Sequence, residues 1–171
     1  MKIMNIHGYR GDPHNSAYRA LDNLGCDMLS PAFDYDNELP ENVTDKLLNI
    51  INSNNIELIV GTSLGGFYAA VLSARTGLPA ILVNPCLLPF LHLPRLGYDG
   101  NIAPFIPLFG ELSELRVNNV SVIVGGSDEV IDTHDFTKNL LQNSRFRVVP
   151  EGKHSGSTLP LREYFGEILG I

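Results

Sequence analysis

The chain reads as an α/β protein built on a six-stranded, mostly parallel, doubly wound sheet with helices on both faces. Three observations lead there. Short apolar runs alternate with helix-compatible segments over most of the sequence, the pattern of a parallel sheet wound by helices. The runs lack strict polar alternation, as expected of strands covered on both faces. One run, Ile56 to Val60, enters a small-residue segment through Gly61-Thr62-Ser63-Leu64-Gly65, a G-x-S-x-G sequence at a strand-to-helix turn.

In order, the predicted strands are Lys2 to Ile6, Cys26 to Leu29, Ile56 to Val60, Ala80 to Val83, Val120 to Val124 and Arg145 to Val149. The predicted helices run near Ser16 to Asn23, Glu41 to Asn52, Leu64 to Arg75, Thr133 to Gln142 and Leu161 to Leu169. Asp132 or Thr133 is the candidate cap of the fourth helix, and Pro160 suits the start of the last. The expected strand order is 2-1-3-4-5-6. It makes the first and third strands neighbours, with their carboxyl ends at the switch point where such sheets bind ligands. A length of 171 residues suits one domain over 1–171, long enough to bury a substantial core. One stretch, 84–110, breaks the rhythm. It holds five of the eleven prolines, Pro85, Pro89, Pro94, Pro104 and Pro107, among Leu, Ile and Phe side chains. A connection of this length is often a lid or binding loop. It is read as a lid-like insertion, with a plain cover over one sheet edge as the alternative.

Composition narrows the function classes. Hydrophobic residues make up 44% and charged residues 18%, which is globular rather than disordered. Twelve basic against 19 acidic residues give a net charge of -7 without a basic cluster, so nucleic acid is not an expected partner. No apolar run is long enough to cross a bilayer. The opening Met1-Lys2-Ile3-Met4-Asn5-Ile6 leads directly into a strand and does not read as a signal peptide. Cys26 and Cys86 stand apart without metal or redox spacing, and two reduced core thiols in a cytoplasmic protein are the simplest expectation.

The chemistry centres on Ser63, the candidate nucleophile. A side chain at Gly61 or Gly65 would collide where the helix folds back past the strand. A serine needs a base to take its proton. Of the five histidines, His7, His14, His92, His134 and His154, only His154 follows the last strand, in Val149-Pro150-Glu151-Gly152-Lys153-His154. That loop lies on the same side of the sheet as Ser63, and His154 comes last in the order serine, acid, histidine. The acid is expected after the preceding strand, in Gly125-Gly126-Ser127-Asp128-Glu129-Val130-Ile131-Asp132. Asp128 is the choice because a carboxylate there can reach the imidazole and orient it. Glu129, Asp132 and Asp135 are rivals. Asp132 reads as a helix cap, and Glu129 as facing solvent or a basic side chain.

The oxyanion donors are expected to be the backbone N–H groups of Leu64 and of Tyr9, the latter aimed by Gly8. His7 and Gly8 stand beside the substrate position, His7 more as a hydrogen-bonded structural residue than as a second base. Asp12, His14 and Ser16 line the mouth or only form a turn and cap. The apolar content of the insertion suits an acyl group, so Phe90, Leu91, Phe105 and Ile106 are expected to line its pocket.

Together, His-Gly-aromatic after strand one, Gly-Thr-Ser-Leu-Gly-Gly, Gly-Ser-Asp-Glu-Val-Ile-Asp and Gly-Lys-His-Ser resemble an α/β-hydrolase. The short length and these phrases are similar to the bacterial YqiA/YcfP-like esterases, the UPF0227 group, from Ile3 to His154. The resemblance implies a minimal hydrolase lacking the first two strands of larger relatives, with Ser63, Asp128 and His154 as its triad. The expected activity is therefore that of a serine esterase or thioesterase, working through an acyl-enzyme on small to medium acyl substrates. It needs no metal or organic cofactor. An amide or peptide hydrolase with the same residues, and a hydrolase-like binding protein without activity, are the alternatives. Neither oligomeric state nor the physiological acyl group can be read from the sequence.

Overall fold

The computed structural model describes residues 1–171. Its strands are β1 Lys2–Ile6, β2 Asp27–Leu29, β3 Leu58–Thr62, β4 Ala80–Val83, β5 Val120–Gly125 and β6 Arg145–Val149. They form one sheet in the order β2-β1-β3-β4-β5-β6, every neighbouring pair parallel, as the sequence predicts. The helices are α1 Ser16–Asp22, α2 Pro40–Asn54, α3 Leu64–Thr76, α4 Pro89–His92, α5 Phe105–Gly110, α6 Asp135–Leu140 and α7 Leu161–Leu169.

Alternate residues of each strand feed two separate cores. Met4, Ile6, Ile59, Leu82, Val122 and Val124 join Val43, Leu47 and Ile51 of α2, the apolar side chains of α3, and residues of the insertion. Ile3, Leu58, Val60, Ile81, Val83 and Ile123 face the other way, onto Ala17 and Leu21 of α1 and Leu161, Tyr164 and Phe165 of α7. Both faces of the pleat are apolar because both are covered, which explains the missing polar alternation. Helix α3 is buried continuously from Leu64 to Ser73, so it carries no polar face. Helices at the sheet's outer surface, such as α2 with Val43, Leu47 and Ile51 buried one turn apart, remain amphipathic.

Several boundaries shift by one or two residues, and two of the shifts have clear local reasons. β3 starts at Leu58 rather than Ile56, because Ile56 N–H donates to Ile51 O and still belongs to the end of α2. α6 starts at Asp135, because Asp132 and His134 both have positive φ, 64° and 54°, which a helix cannot contain. Neither expected cap therefore holds the helix as a standard N-cap: His134 occupies that position without a side-chain bond, and Thr133 Oγ1 accepts from Asp135 N–H at 3.3 Å. Within 84–110, α4, a 3-10 turn at Leu93–Leu96 and α5 pack Leu87, Leu93, Phe105 and Leu108 into the same core as α3.

The tightest packing lies at the β3–α3 turn. A Cβ on Gly61 would overlap the Gly65 carbonyl oxygen, and one on Gly65 would overlap the Ile6 carbonyl oxygen of β1. Both obstacles are backbone, so neither can rotate away. Gly65→Ala is therefore expected to destabilise the protein by about 3 kcal/mol. In a chain of this size that lowers Tm by roughly 6–12 °C, readable in a thermal melt by circular dichroism. An unchanged Tm would mean that α3 can withdraw from β1 at no cost.

Candidate active site

Ser63 sits between β3 and α3 with φ 54° and ψ -118°, a conformation that L-residues rarely adopt. Its backbone is fixed on both sides. Ser63 N–H donates to Val83 O at 3.0 Å, and Ser63 O accepts from Gly66 N–H at 2.9 Å and Cys86 N–H at 2.9 Å. The side chain is thereby pushed beyond the carboxyl edge of the sheet, with the residue only 5% exposed. Gly8, after β1, forms the facing wall, where an added Cβ would lie 3.0 Å from Ser63 Cβ and 3.6 Å from its Oγ.

His154, on the loop after β6, brings Nε2 to 3.0 Å from Ser63 Oγ, and its Nδ1 lies 3.0 Å from Asp128 Oδ2. Asp128, after β5, is the acid at this contact. Asp132 instead turns outward to pair with Arg95, and Asp135 opens α6. The Asp128 side chain is fully buried. Burial alone would raise its pKa. Hydrogen bonds from His134, His154 and the Ile131 N–H outweigh that and hold the carboxyl well below the usual carboxylate range.

Three residues at the site make contacts that the sequence did not assign to them. Asn84, in a left-handed conformation with φ 43°, donates through Nδ2 to Lys153 O at 2.8 Å and His154 O at 2.9 Å, and accepts Gly125 N–H at 2.7 Å. It ties the end of β4 to the end of β5 and to the histidine loop. Glu129 is exposed to solvent, one of the two environments expected of it, and is not paired with a basic side chain. Its Oε2 accepts the His154 backbone N–H at 3.0 Å, and that bond lowers its pKa. His134 places Nε2 2.9 Å from Asp128 Oδ2, the same oxygen that His154 engages.

A cleft of about 340 Å³ opens over Ser63 and His154. Gly8, Tyr9, Gly11 and Asp12 form one wall, Asn15, Ser16 and Arg19 of the α1 region another, and Ser155 and Gly156 a third. Leu64 is the first residue of α3, where a helical N–H has no partner within the helix. Tyr9 N–H makes no hydrogen bond, while Tyr9 OH is anchored on Asp36 Oδ1 at 2.5 Å. His7 does not reach the cleft. Its Nδ1 binds Gly8 O at 2.8 Å and its Nε2 accepts Phe33 N–H at 3.0 Å, and burial lowers its pKa. Asp12 accepts His14 N–H at 2.6 Å, and the cap of α1 is Asn15 rather than Ser16.

The expected acyl-pocket residues are elsewhere, and that expectation is corrected. Phe105 is 2% exposed and packs edge-on against Phe67 in the core. Ile106 points outward at 58% exposure, Leu91 faces a separate cavity beside His92, and Phe90 packs on Phe109. Phe105 is drawn inward because Phe67 of α3 needs an apolar cover. From the insertion only Leu96 lines the cleft.

The model of the uncharacterised protein family UPF0227 matches residues 2–103. Among solved structures, one of the metagenome-derived lipolytic enzymes LipS and LipT superposes with a TM-score of 0.74 at 12% identity, covering 99% of this chain and 94% of its own. A provisionally assigned hydrolase of the alpha/beta superfamily from Xanthomonas campestris gives 0.70 at 17% identity, with 99% and 98% covered. An alpha-beta serine hydrolase homologue from Coxiella burnetii gives 0.66 at 17% identity, with 99% and 85% covered. At these identities the likeness establishes the α/β-hydrolase fold.

The hydrogen bonds on Asp128 make a pH-dependent contribution to stability. Its folded pKa is depressed, so the contribution is complete above the unfolded value of about 3.9 and is lost as pH falls towards the folded value. In urea titrations, the stability difference between wild type and Asp128→Asn is expected to stay level from about pH 7 to about pH 5 and to shrink below about pH 4. A difference that holds steady down to about pH 2.5 would contradict a selectively stabilised carboxylate.

Proposed function

The chain belongs to the uncharacterised protein family UPF0227, and from that footing we propose that it is a serine hydrolase of carboxylic esters or acyl thioesters. The carrying observation is the unbroken hydrogen-bonded line from Ser63 Oγ through both nitrogens of His154 to Asp128, each contact 3.0 Å. Asp128, ionised and acceptor-only, takes the Nδ1–H of His154 and leaves Nε2 free to receive the serine proton.

In this reading Ser63 Oγ attacks the substrate carbonyl as His154 Nε2 takes its proton. The oxyanion of the tetrahedral intermediate is met by the N–H groups of Leu64 and Tyr9. Collapse breaks the bond to the alcohol or thiol, which leaves with the proton from His154. Water, deprotonated by His154, then attacks the acyl-enzyme, and the acid product leaves as Ser63 regains its proton. Every step uses side chains and backbone of this chain. Free Cys26 and Cys86 suit a reducing compartment such as the cytoplasm.

The cleft refines the substrate. Only Tyr9 and Leu96 bring large apolar side chains to it; the other lining residues are polar or charged residues and three glycines. That suits a short acyl group with a polar alcohol or thiol portion rather than a long hydrocarbon chain.

Three measurements test the reading. Ser63→Ala is expected to fold normally and to lose ester hydrolysis by about 10⁴-fold or more, along with labelling by a fluorophosphonate probe. Asp128→Asn is expected to lose about 10³–10⁴-fold in kcat while Asp132→Asn stays within about threefold of wild type. If Asp132→Asn proves the more damaging, the acid is misassigned. Across acyl esters of increasing length, kcat/KM is expected to fall by about tenfold from short to medium chains. A rise with length would place the acyl group on the insertion after all. A wild-type protein inert to esters, thioesters and the probe would leave a binding protein.

A further inference from the structure

We propose that His134 is a positioning residue of this site, holding the Asp128 carboxylate and setting how strongly it engages His154. The role draws its meaning from the serine-hydrolase reading, but it has a readout of its own.

Asp128 is bound from every side. Its Oδ1 accepts the N–H groups of Val130 and Ile131, both at 2.8 Å. Its Oδ2 accepts two imidazoles, His134 Nε2 at 2.9 Å and His154 Nδ1 at 3.0 Å. The His134 side chain is 1% exposed. Because a carboxylate only accepts, Nε2 of His134 carries its proton. The other nitrogen, Nδ1, is buried without a partner. An imidazole with one nitrogen unsatisfied is a poor filler for an apolar space, and a leucine or methionine would fill it at less cost.

The backbone is also bent to deliver this side chain. Asp132 and His134 both adopt left-handed conformations, sustained only where the surroundings over-determine them. Arg95 supplies part of that support by binding Asp132 and the Val130 carbonyl, and Lys138 N–H closes on His134 O at 2.9 Å. An unsatisfied nitrogen and two strained residues together place one N–H on one oxygen. That oxygen is the one on which His154 depends.

The physical effect follows from sharing. A donor on Oδ2 draws carboxylate charge towards itself and leaves less to stabilise protonated His154, while it fixes the plane in which His154 is held. The other charged or titratable groups around the pair are His92 and Arg95 from the insertion, Cys86 at its start, Glu129 beside His154, and Asp132 and Asp135 on the loop itself. Substituting His134 leaves all of them in place.

The test is nitrogen-15 NMR of labelled histidines in wild type, His134→Gln and His134→Leu, with ester kinetics alongside. In wild type, His134 is expected as the Nε2–H tautomer. His134→Gln can offer an amide N–H to the same oxygen, and is expected to keep the wild-type titration of His154 and at least about a third of kcat. His134→Leu is expected to move the His154 midpoint upward by about 0.5 pH unit or more, and to lower kcat about 10–100-fold with KM within about twofold. A Leu variant that titrates like wild type, or a Gln variant that behaves like Leu, overturns the proposal. If the Leu variant does not fold, the wild-type tautomer and the Gln titration decide: an Nδ1–H tautomer, or a shifted His154 in the Gln variant, overturns it equally. If the titrations behave as expected but no variant or wild type turns over any ester, the hydrolase reading fails while the His134–Asp128–His154 coupling stands.

Discussion

How closely α3 passes the ends of β1 and β3 governs the whole carboxyl edge of the sheet. At Gly61 and Gly65 the separation admits hydrogen atoms and nothing larger. The chain can enter the helix at that distance only through the conformation seen at Ser63, with φ 54°. Such a residue costs on the order of 1–3 kcal/mol. Hydrogen bonds to Val83, Gly66 and Cys86 hold it there. The buried apolar length of α3, from Leu64 to Ser73, keeps the helix against the sheet. The same approach sets Gly8 against Ser63 and makes Leu64 the first residue of α3, whose N–H has no partner within the helix. Strain, wall and donors are thus one geometric fact.

This explains which parts were legible in the amino-acid sequence. The turn announces itself because only glycine satisfies its contacts, so steric need becomes a spelled motif. Strand order was legible because alternating strands and helices with right-handed crossovers leave few arrangements. The meeting of Ser63, Asp128 and His154 could be anticipated from chain order, since each follows a different strand on the same edge. Asn84, Glu129 and His134 could not. Their hydrogen bonds depend on left-handed backbone at Asn84 and His134 and on a loop fold that no periodicity encodes. Asn and His tolerate that conformation better than most residues, but the tolerance alone does not say which of many such residues will use it. Glu129 lies at the surface as expected, but its bond to the His154 N–H stayed hidden for a related reason. A carboxylate beside a strand end looks like a surface charge until the loop opposite offers it a backbone N–H.

The insertion shows the other limit. Its composition correctly signals apolar burial, yet composition has no direction. Phe105 and Leu108 turn inward because α3 and Phe67 need covering, and Ile106 is left outside on the opposite side of the same short helix. Only Leu96, at the end of a 3-10 turn, reaches the cleft. Hydrophobic residues near a site are recruited first by the largest unburied apolar surface. Here that surface belongs to the scaffold, and the cleft is left with only Tyr9 and Leu96 as large apolar side chains.

Asn84 has a consequence for how such a chain can change over generations. Its side chain fastens the ends of β4 and β5 to the main chain of the His154 loop, and Asn84 is itself the first residue of the 84–110 stretch. The clamp therefore stands at the entry to that stretch. On the acid side, the stretch meets the 128–135 loop through Arg95, which binds Asp132 and the Val130 carbonyl, and through Leu87, Leu88, Leu91 and His92, which share a cavity with that loop. The stretch is also tied to the serine turn, since Cys86 N–H holds Ser63 O and Leu87, Leu93, Phe105 and Leu108 pack beside α3. Its outer part, residues 99–104, is exposed or half-exposed throughout, and there the chain can lengthen or shorten with small effect on the distance between serine and histidine. Variation is thus channelled to the rim, and selection can act on it without having to rebuild the serine turn.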